Sequence, residues 1–479
     1  MNKTFRAHPL MIFNFLKPFL FVLLIPVVRG LIQYAASGDY DSILYFEVVL
    51  LIALFVVGLL RWWCFKLILN EEKHTITVVS GLFFRRKAKI NVDKLSSVQT
   101  KQNPLEFICR AVTFRINTEA GNIDKADYEF KLSVKSAKKV STLLYGKGEQ
   151  KKIRFSLFKI AVLAATTSSA LTGILVGVPL IYRAGNLLEI AISDMLINEI
   201  NNVSQKFQTY FPPIVNAISL VFLASYLFSF LYSLFNYLNF QLMLGQDKME
   251  IRSGLIVRTR TAFKKAAINN VRIEQSFLML LLRRFAMRVS VGGYGESKGR
   301  SEVVIPLEKG QEIRNHFAEY LPFFKCDTGV YIKPRATSIN QSRFLFFPMI
   351  YFICAVVLAI ILGVRFDDFT RFVIFSLWVI CTLIFIHAWF CLFECFKGKV
   401  DFGENVFIRS RKGFKTCELY CPKENVGEVK LVRFPADMWH HTCRLRITVR
   451  SERADSLCVR HLDYNTVKQT VNKYFNIDA

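Results

Sequence analysis

The sequence predicts an α+β membrane protein in which six transmembrane helices form three hairpins, each followed by a small cytoplasmic β-barrel with a C-terminal helix. Three observations carry this reading. Long apolar runs recur in pairs, one strand–turn–strand pattern recurs after each pair, and every copy closes on a short amphipathic helix. The 479-residue chain is 52% hydrophobic and holds 45 Phe, yet its net charge is +26, a pairing unusual for a soluble enzyme.

The spans come first. Crossing a bilayer takes about 20 consecutive apolar residues. Charge-free runs cover residues 344–364, 372–393 and 160–182, and residues 213–236 sit in a longer uncharged stretch. Two further runs, 9–28 and 43–60, carry Lys17 and Glu47. Lys17 lies near the start of its helix and can snorkel to the interface. Glu47 lies at the opposite end of the next helix, so the two are at different depths. The Ala35-Ala36-Ser37 stretch is a poor cleavage cue and a second apolar run follows at once, so the first run is expected to be retained.

Charge sets the orientation. The turns within the hairpins, 29–42, 183–212 and 365–371, hold only 5 of the 63 Lys and Arg. Basic residues are retained on the cytoplasmic side. Both termini and all three polar segments are therefore expected on that side. The hairpins span 9–63, 156–236 (with the outer segment 183–212) and 344–394, and the polar domains span 64–147, 237–322 and 395–479. None of the 11 cysteines falls in an outer turn, which fits reduced cytoplasmic thiols.

The polar domains repeat. Anchored on Gly81, Gly254 and Gly413, the copies are 173 and 159 residues apart. A strand-like run precedes each glycine and a basic one follows. Val98, Val271 and Val429 come 17, 17 and 16 residues after their glycine, and an alternating run follows at 112–116, 287–291 and 445–449. Such alternation suits a half-buried antiparallel sheet. Apolar residues at helical spacing close each copy, as in Val140, Leu143 and Leu144, or Val467, Val471 and Phe475. The pattern is that of a small barrel capped by one helix.

SGLFFRRKAKINVDKLSSVQTKQNPL, from Ser80, and SGLIVRTRTAFKKAAINNVRIEQSFL, from Ser253, share a strand, a glycine, a strand, then Val, Gln and an apolar residue, with Gln102 matching Gln275. These stretches resemble the membrane-flanked bacterial pleckstrin-homology-like (PH-like) domain family, in its three-repeat form. The third copy departs most, with Arg433 in place of the glutamine. The resemblance implies barrels of seven strands plus a helix, no enzyme activity and no cofactor. It also points to the inner membrane of a bacterium and to a role in envelope maintenance or stress defence.

Other signals are weaker. Residues 292–299 contain glycines and Lys298 but lack the order of a phosphate-binding loop. Cys417 and Cys421 sit four apart, a loose match to a zinc pair, but four apart in a strand also means one shared face. No nucleophile–base constellation is visible. Gly173 and Gly177 form a small-residue face suited to helix packing.

The basic ribbons are the sharpest feature. Arg85, Arg86, Lys87 and Lys89 form the first, Arg258, Arg260, Lys264 and Lys265 the second, and Arg409, Arg411, Lys412 and Lys415 the third. Each is tethered near an anionic leaflet, where a basic group contributes about 1 kcal/mol. The sequence thus predicts an integral membrane scaffold whose domains contact lipid headgroups or protein partners. The partners expected are anionic inner-leaflet lipids and other membrane proteins, a smaller PH-like membrane protein among them, and not nucleic acid. The competing reading is a lipid transporter or conduit through the six-helix base.

Overall fold

The computed structural model describes residues 2–13, 15–16, 42–70, 72–81, 85–118, 127–145, 151–169, 198, 202, 213–291, 302–324, 331–335, 338–365, 370–450 and 455–475. Within them the chain is α+β and divides into two compact units. Residues 17–28 of the first expected span, the outer segment 183–212 apart from residues 198 and 202, Gly173, Gly177 and the 292–299 loop lie outside the described residues. Three described helices are long and apolar enough to cross a membrane: Ser219–Tyr237, Ser342–Arg365 and Val373–Lys397. Val48–Cys64 and Leu157–Thr167 are shorter apolar helices.

The first unit holds the described residues of Met1–Lys152 and Met243–Ala267. Strand β1 (Asn2–Arg6) pairs with β2 (Lys66–Asn70), and β3 (Thr75–Ser80) and β4 (Arg86–Asn91) complete a four-stranded sheet. Helix α1 (Ser42–Cys64) leads into β2. A second sheet contains β5 (Leu95–Gln102), β6 (Ala111–Thr118) and β7 (Tyr128–Ser133), with the short helix α2 (Pro104–Ile108) between β5 and β6. Burial alternates along β3 and β7, as the sequence pattern requires. Leu67, Ile76, Val98, Phe114 and Leu132 point into one core, and Val140 and Leu144 of α3 (Val134–Tyr145) seal it.

The chain passes between the units within β8 (Lys151–Arg154) and β9 (Gln241–Leu244), which bracket α4 (Leu157–Thr167) and α5 (Pro213–Tyr237). Strands β10 (Lys248–Ser253) and β11 (Arg258–Lys264) return to the first unit. There β11 pairs antiparallel with β5, so the second repeat's basic strand extends the first repeat's sheet.

The second unit repeats that joint. β12 (Ile268–Ser276), α6 (Phe277–Leu281), β13 (Arg284–Val291), β14 (Glu302–Lys309) and α7 (Gly310–Tyr320) form the rear of repeat two. The membrane helices α8 (Ser338–Arg365) and α9 (Thr370–Lys397) lead to β15 (Lys399–Phe402), β16 (Asn405–Arg411) and β17 (Lys415–Pro422). β17 pairs antiparallel with β12, giving the order β14-β13-β12-β17-β16-β15. β18 (Val426–Val432), α10 (Pro435–Trp439), β19 (Thr442–Val449), β20 (Asp455–Asp463) and α11 (Tyr464–Phe475) complete repeat three. The two joints share a register, with Val98 facing Ala262 and Val271 facing Tyr420.

The anchor glycines all adopt positive φ, 111° at Gly81, 98° at Gly254 and 62° at Gly413. Gly81 and Gly254 directly follow a strand-ending serine, whereas Gly413 lies three residues beyond Ser410. Their tolerance differs accordingly. A Cβ on Gly254 would sit 1.9 Å from the Val257 carbonyl oxygen, whereas one on Gly413 would meet nothing within 4 Å. Gly413→Ala should therefore cost only the backbone term of about 1–2 kcal/mol, while Gly254→Ala adds a backbone clash. Thermal unfolding of the two full-length variants should place Gly254→Ala clearly lower. Equal shifts would mean that the Gly254 turn is not as tight as described.

Candidate membrane-contact surface

The three ribbons have different environments. On β4, Arg85, Arg86, Lys87 and Lys89 are all exposed and make no ion pair or side-chain hydrogen bond among the described residues. The second ribbon is largely occupied. Arg260 grips the buried Glu250 carboxylate at 2.6 and 2.8 Å, and Arg252 reaches the same group at 2.5 Å. Lys264 Nζ donates to the Val92 and Asp93 carbonyls at 3.2 and 2.8 Å, tying repeat two to repeat one. Arg258 lies over the Phe107 ring, 4.7 Å from its centroid. Lys265 is half-buried, and desolvation lowers its pKa.

The third ribbon is half-buried at Arg409, Arg411 and Lys415, while Lys412 is exposed. Arg409 pairs with Glu418, and Arg411 Nε lies 2.9 Å from Glu394 near the end of α9. Burial lowers the pKa of Lys412 and Lys415; Glu274 partly offsets this at Lys415. Cys417, Cys421 and Cys443 are core residues whose thiols burial pushes up to about 12, so they stay protonated.

A second feature recurs at the helices α2, α6 and α10. Proline at the first position starts α2 and α10, and the Ser276 hydroxyl accepts from the Met279 amide to cap α6. Each turn then reverses through a left-handed residue, Arg110, Arg283 or His441, all with φ of 52°. That conformation is uncommon for residues other than glycine. The repeated glutamine braces it: Gln102 Nε2 donates to the Ala111 carbonyl at 3.0 Å and Gln275 to the Arg284 carbonyl at 3.1 Å. In repeat three, Arg433 instead lies over Tyr464.

These turns hold apolar side chains in the open. Leu105 is 75% exposed, Ile108 76%, Leu281 73% and Trp439 81%. Beneath two of them sits a buried carboxylate. Glu106 accepts from Thr113 and Lys131 at 2.7 and 2.9 Å. Burial works to raise its pKa, but these donors and the Asn103 amide outweigh burial and lower it. Asp437 is likewise held low against burial by the Phe434 amide, Arg343 and Arg444.

In the second unit, the turns adjoin the roots of the membrane helices. α6 packs on α4, and Lys159 of α4 binds Glu308 at 2.7 Å. Arg343, entering α8, pairs with Asp437, and Phe344 meets the His461 ring edge-on at 4.6 Å. The apolar-then-basic order after each Gln or Arg433 (LEFICR, LMLLLRR, ADMWHH) was the sequence trace of these turns. It is easily read as core. Glu394 was also hidden, because it ends an apolar run.

Burial chiefly, with help from Arg343, lowers the His461 pKa to about 4 from 6.5. The folded protein therefore resists a proton that the unfolded chain accepts. Stability is complete above pH 6.5 and is lost as the pH falls toward 4, by about 3 kcal/mol. His461→Asn tolerates the φ of 56° at that position and should flatten this loss. Thermal unfolding of both full-length proteins at pH 7.5 and 5 is the check, and parallel pH dependence would remove His461 as the cause.

Comparison with known proteins agrees with this architecture. The Bacterial PH domain family model matches residues 19–147 and 158–321. The chain is 18% identical over 401 residues to the UPF0699 transmembrane protein YdbT of Bacillus subtilis (strain 168), covering 74% of this chain and 78% of that protein. No solved structure matches the chain.

Proposed function

Since this transmembrane protein belongs to the Bacterial PH domain family, we propose that its PH-like domains form a scaffold held against the inner face of the bacterial inner membrane, with both termini cytoplasmic. The turns at α2, α6 and α10 dip into the lipid interface. The observation that carries this reading is the threefold recurrence of large exposed apolar side chains on a left-handed turn that ends in Arg or His. An apolar face beside basic groups is the pattern that lies in the headgroup–acyl boundary. The exposed β4 ribbon supplies the headgroup contacts, while the other two ribbons serve mainly to hold repeats and membrane helices together. Protein partners would bind the remaining domain surface.

Spin labels at positions 108, 281 and 439 of the reconstituted full chain test the insertion. Each should show high oxygen and low nickel-chelate accessibility, with position 138 on α3 as the aqueous reference. Water-like values at all three would remove the turns as membrane contacts. Independently, replacing Arg85, Arg86, Lys87 and Lys89 with Ala should reduce the anionic lipid that copurifies with the protein, given about 1 kcal/mol for each basic group near the surface. Unchanged retention would leave that ribbon as solvated surface.

A further inference from the structure

The chain builds the same strand joint twice, and its two outer strands are the unmatched halves of a third. Strands β5, β12 and β18 are equivalent: Val98 pairs with Ile116, Val271 with Val289 and Val429 with Ile447. Each also carries a register shift at the same place, between Leu95 and Ser97, Ile268 and Asn270, and Val426 and Glu428. β5 and β12 give their outer edges to β11 and β17, whereas β18 ends its sheet. Strands β4, β11 and β17 are equivalent too, since Ser80 pairs with Arg86, Ser253 with Thr259 and Ser410 with Cys417. Among these, β4 ends its sheet.

Burial follows pairing. On β12, Arg272 and Glu274 form a same-face ion pair at 3.2 Å whose side chains are 9% and 13% exposed. On β18, Lys430 and Glu428 form the same kind of pair at 2.8 Å, but their side chains are 56% and 48% exposed. The β18 strand thus has the shape and side-chain device of a joint strand, with no partner strand on its outer edge among the described residues. An edge of this kind is a template for another strand.

We propose that β18 of one copy pairs antiparallel with β4 of a second copy, in the register of the two internal joints. Ala262 and Tyr420 lie three residues beyond Thr259 and Cys417, and the same count from Arg86 reaches Lys89. Val429 of one copy then faces Lys89 of the next, and Val432 faces Arg86. The contact is heterologous, so it builds a ring or an open row of membrane-anchored chains.

The test uses full-length chains in their membrane, two differently tagged copies being expressed together. A benzophenone-bearing phenylalanine analogue replaces Lys89 in one copy. Illumination should give an adduct of twice the chain mass carrying both tags, with the crosslink in residues 426–432. The reciprocal probe at Val432 should crosslink to residues 85–91. A probe at the exposed Lys138 of α3 should give several-fold less. Both replaced side chains are exposed, so folding is not at stake. Absence of the two-tag adduct from both probes overturns the proposal. So do adducts only with lipid, with another protein, or with other parts of the second copy.

Discussion

A β-strand edge leaves backbone N–H and C=O groups that something must satisfy, and a small sheet exposes two such edges. Here repeat two meets that constraint by giving its basic strand β11 to the sheet of repeat one, and repeat three gives β17 to repeat two. Backbone pairing does not depend on which side chains the strands carry. That is why copies as different as VRTRTAF and CELYC can use one register. Side chains then reinforce each joint in their own way. Lys264 reaches two carbonyls in the first, while the Phe317 ring packs at a tilt 4.5 Å from Tyr420 in the second.

Charge follows from this arrangement. A ribbon of cations on a strand that becomes internal must find carboxylates or carbonyls, because an unpaired buried charge is expensive. Glu250, Glu418 and Glu394 meet that need for Arg260, Arg409 and Arg411. Within one copy the β4 ribbon lies on an outer strand, and its side chains are exposed. One sequence motif therefore serves as internal glue in two places and as open surface in a third. At the membrane end, Arg411–Glu394 and Arg343–Asp437 tie α9 and α8 to the third domain.

The repeat was legible in detail. The turn glycines, the valines at 98, 271 and 429, the sealing helices and the apolar runs all follow from local rules of backbone conformation and periodicity. The shared Gln102 and Gln275 were visible as a pattern, but their role as braces for a left-handed turn was not, because the acceptor carbonyl lies across a fold of the chain. The apolar residues of α2, α6 and α10 were equally ambiguous: a string such as LMLLL reads as core whether it faces inward or outward.

By itself, then, the sequence determined the α+β class, the membrane attachment and the threefold repeat. These depend on residues close in sequence and on composition. Only the tertiary structure decided which edges pair between copies, which ribbon remains open and which apolar residues stay exposed. Those outcomes depend on backbone groups and on neighbours up to about 170 residues away, as with Lys264 and Val92, and no local periodicity encodes them.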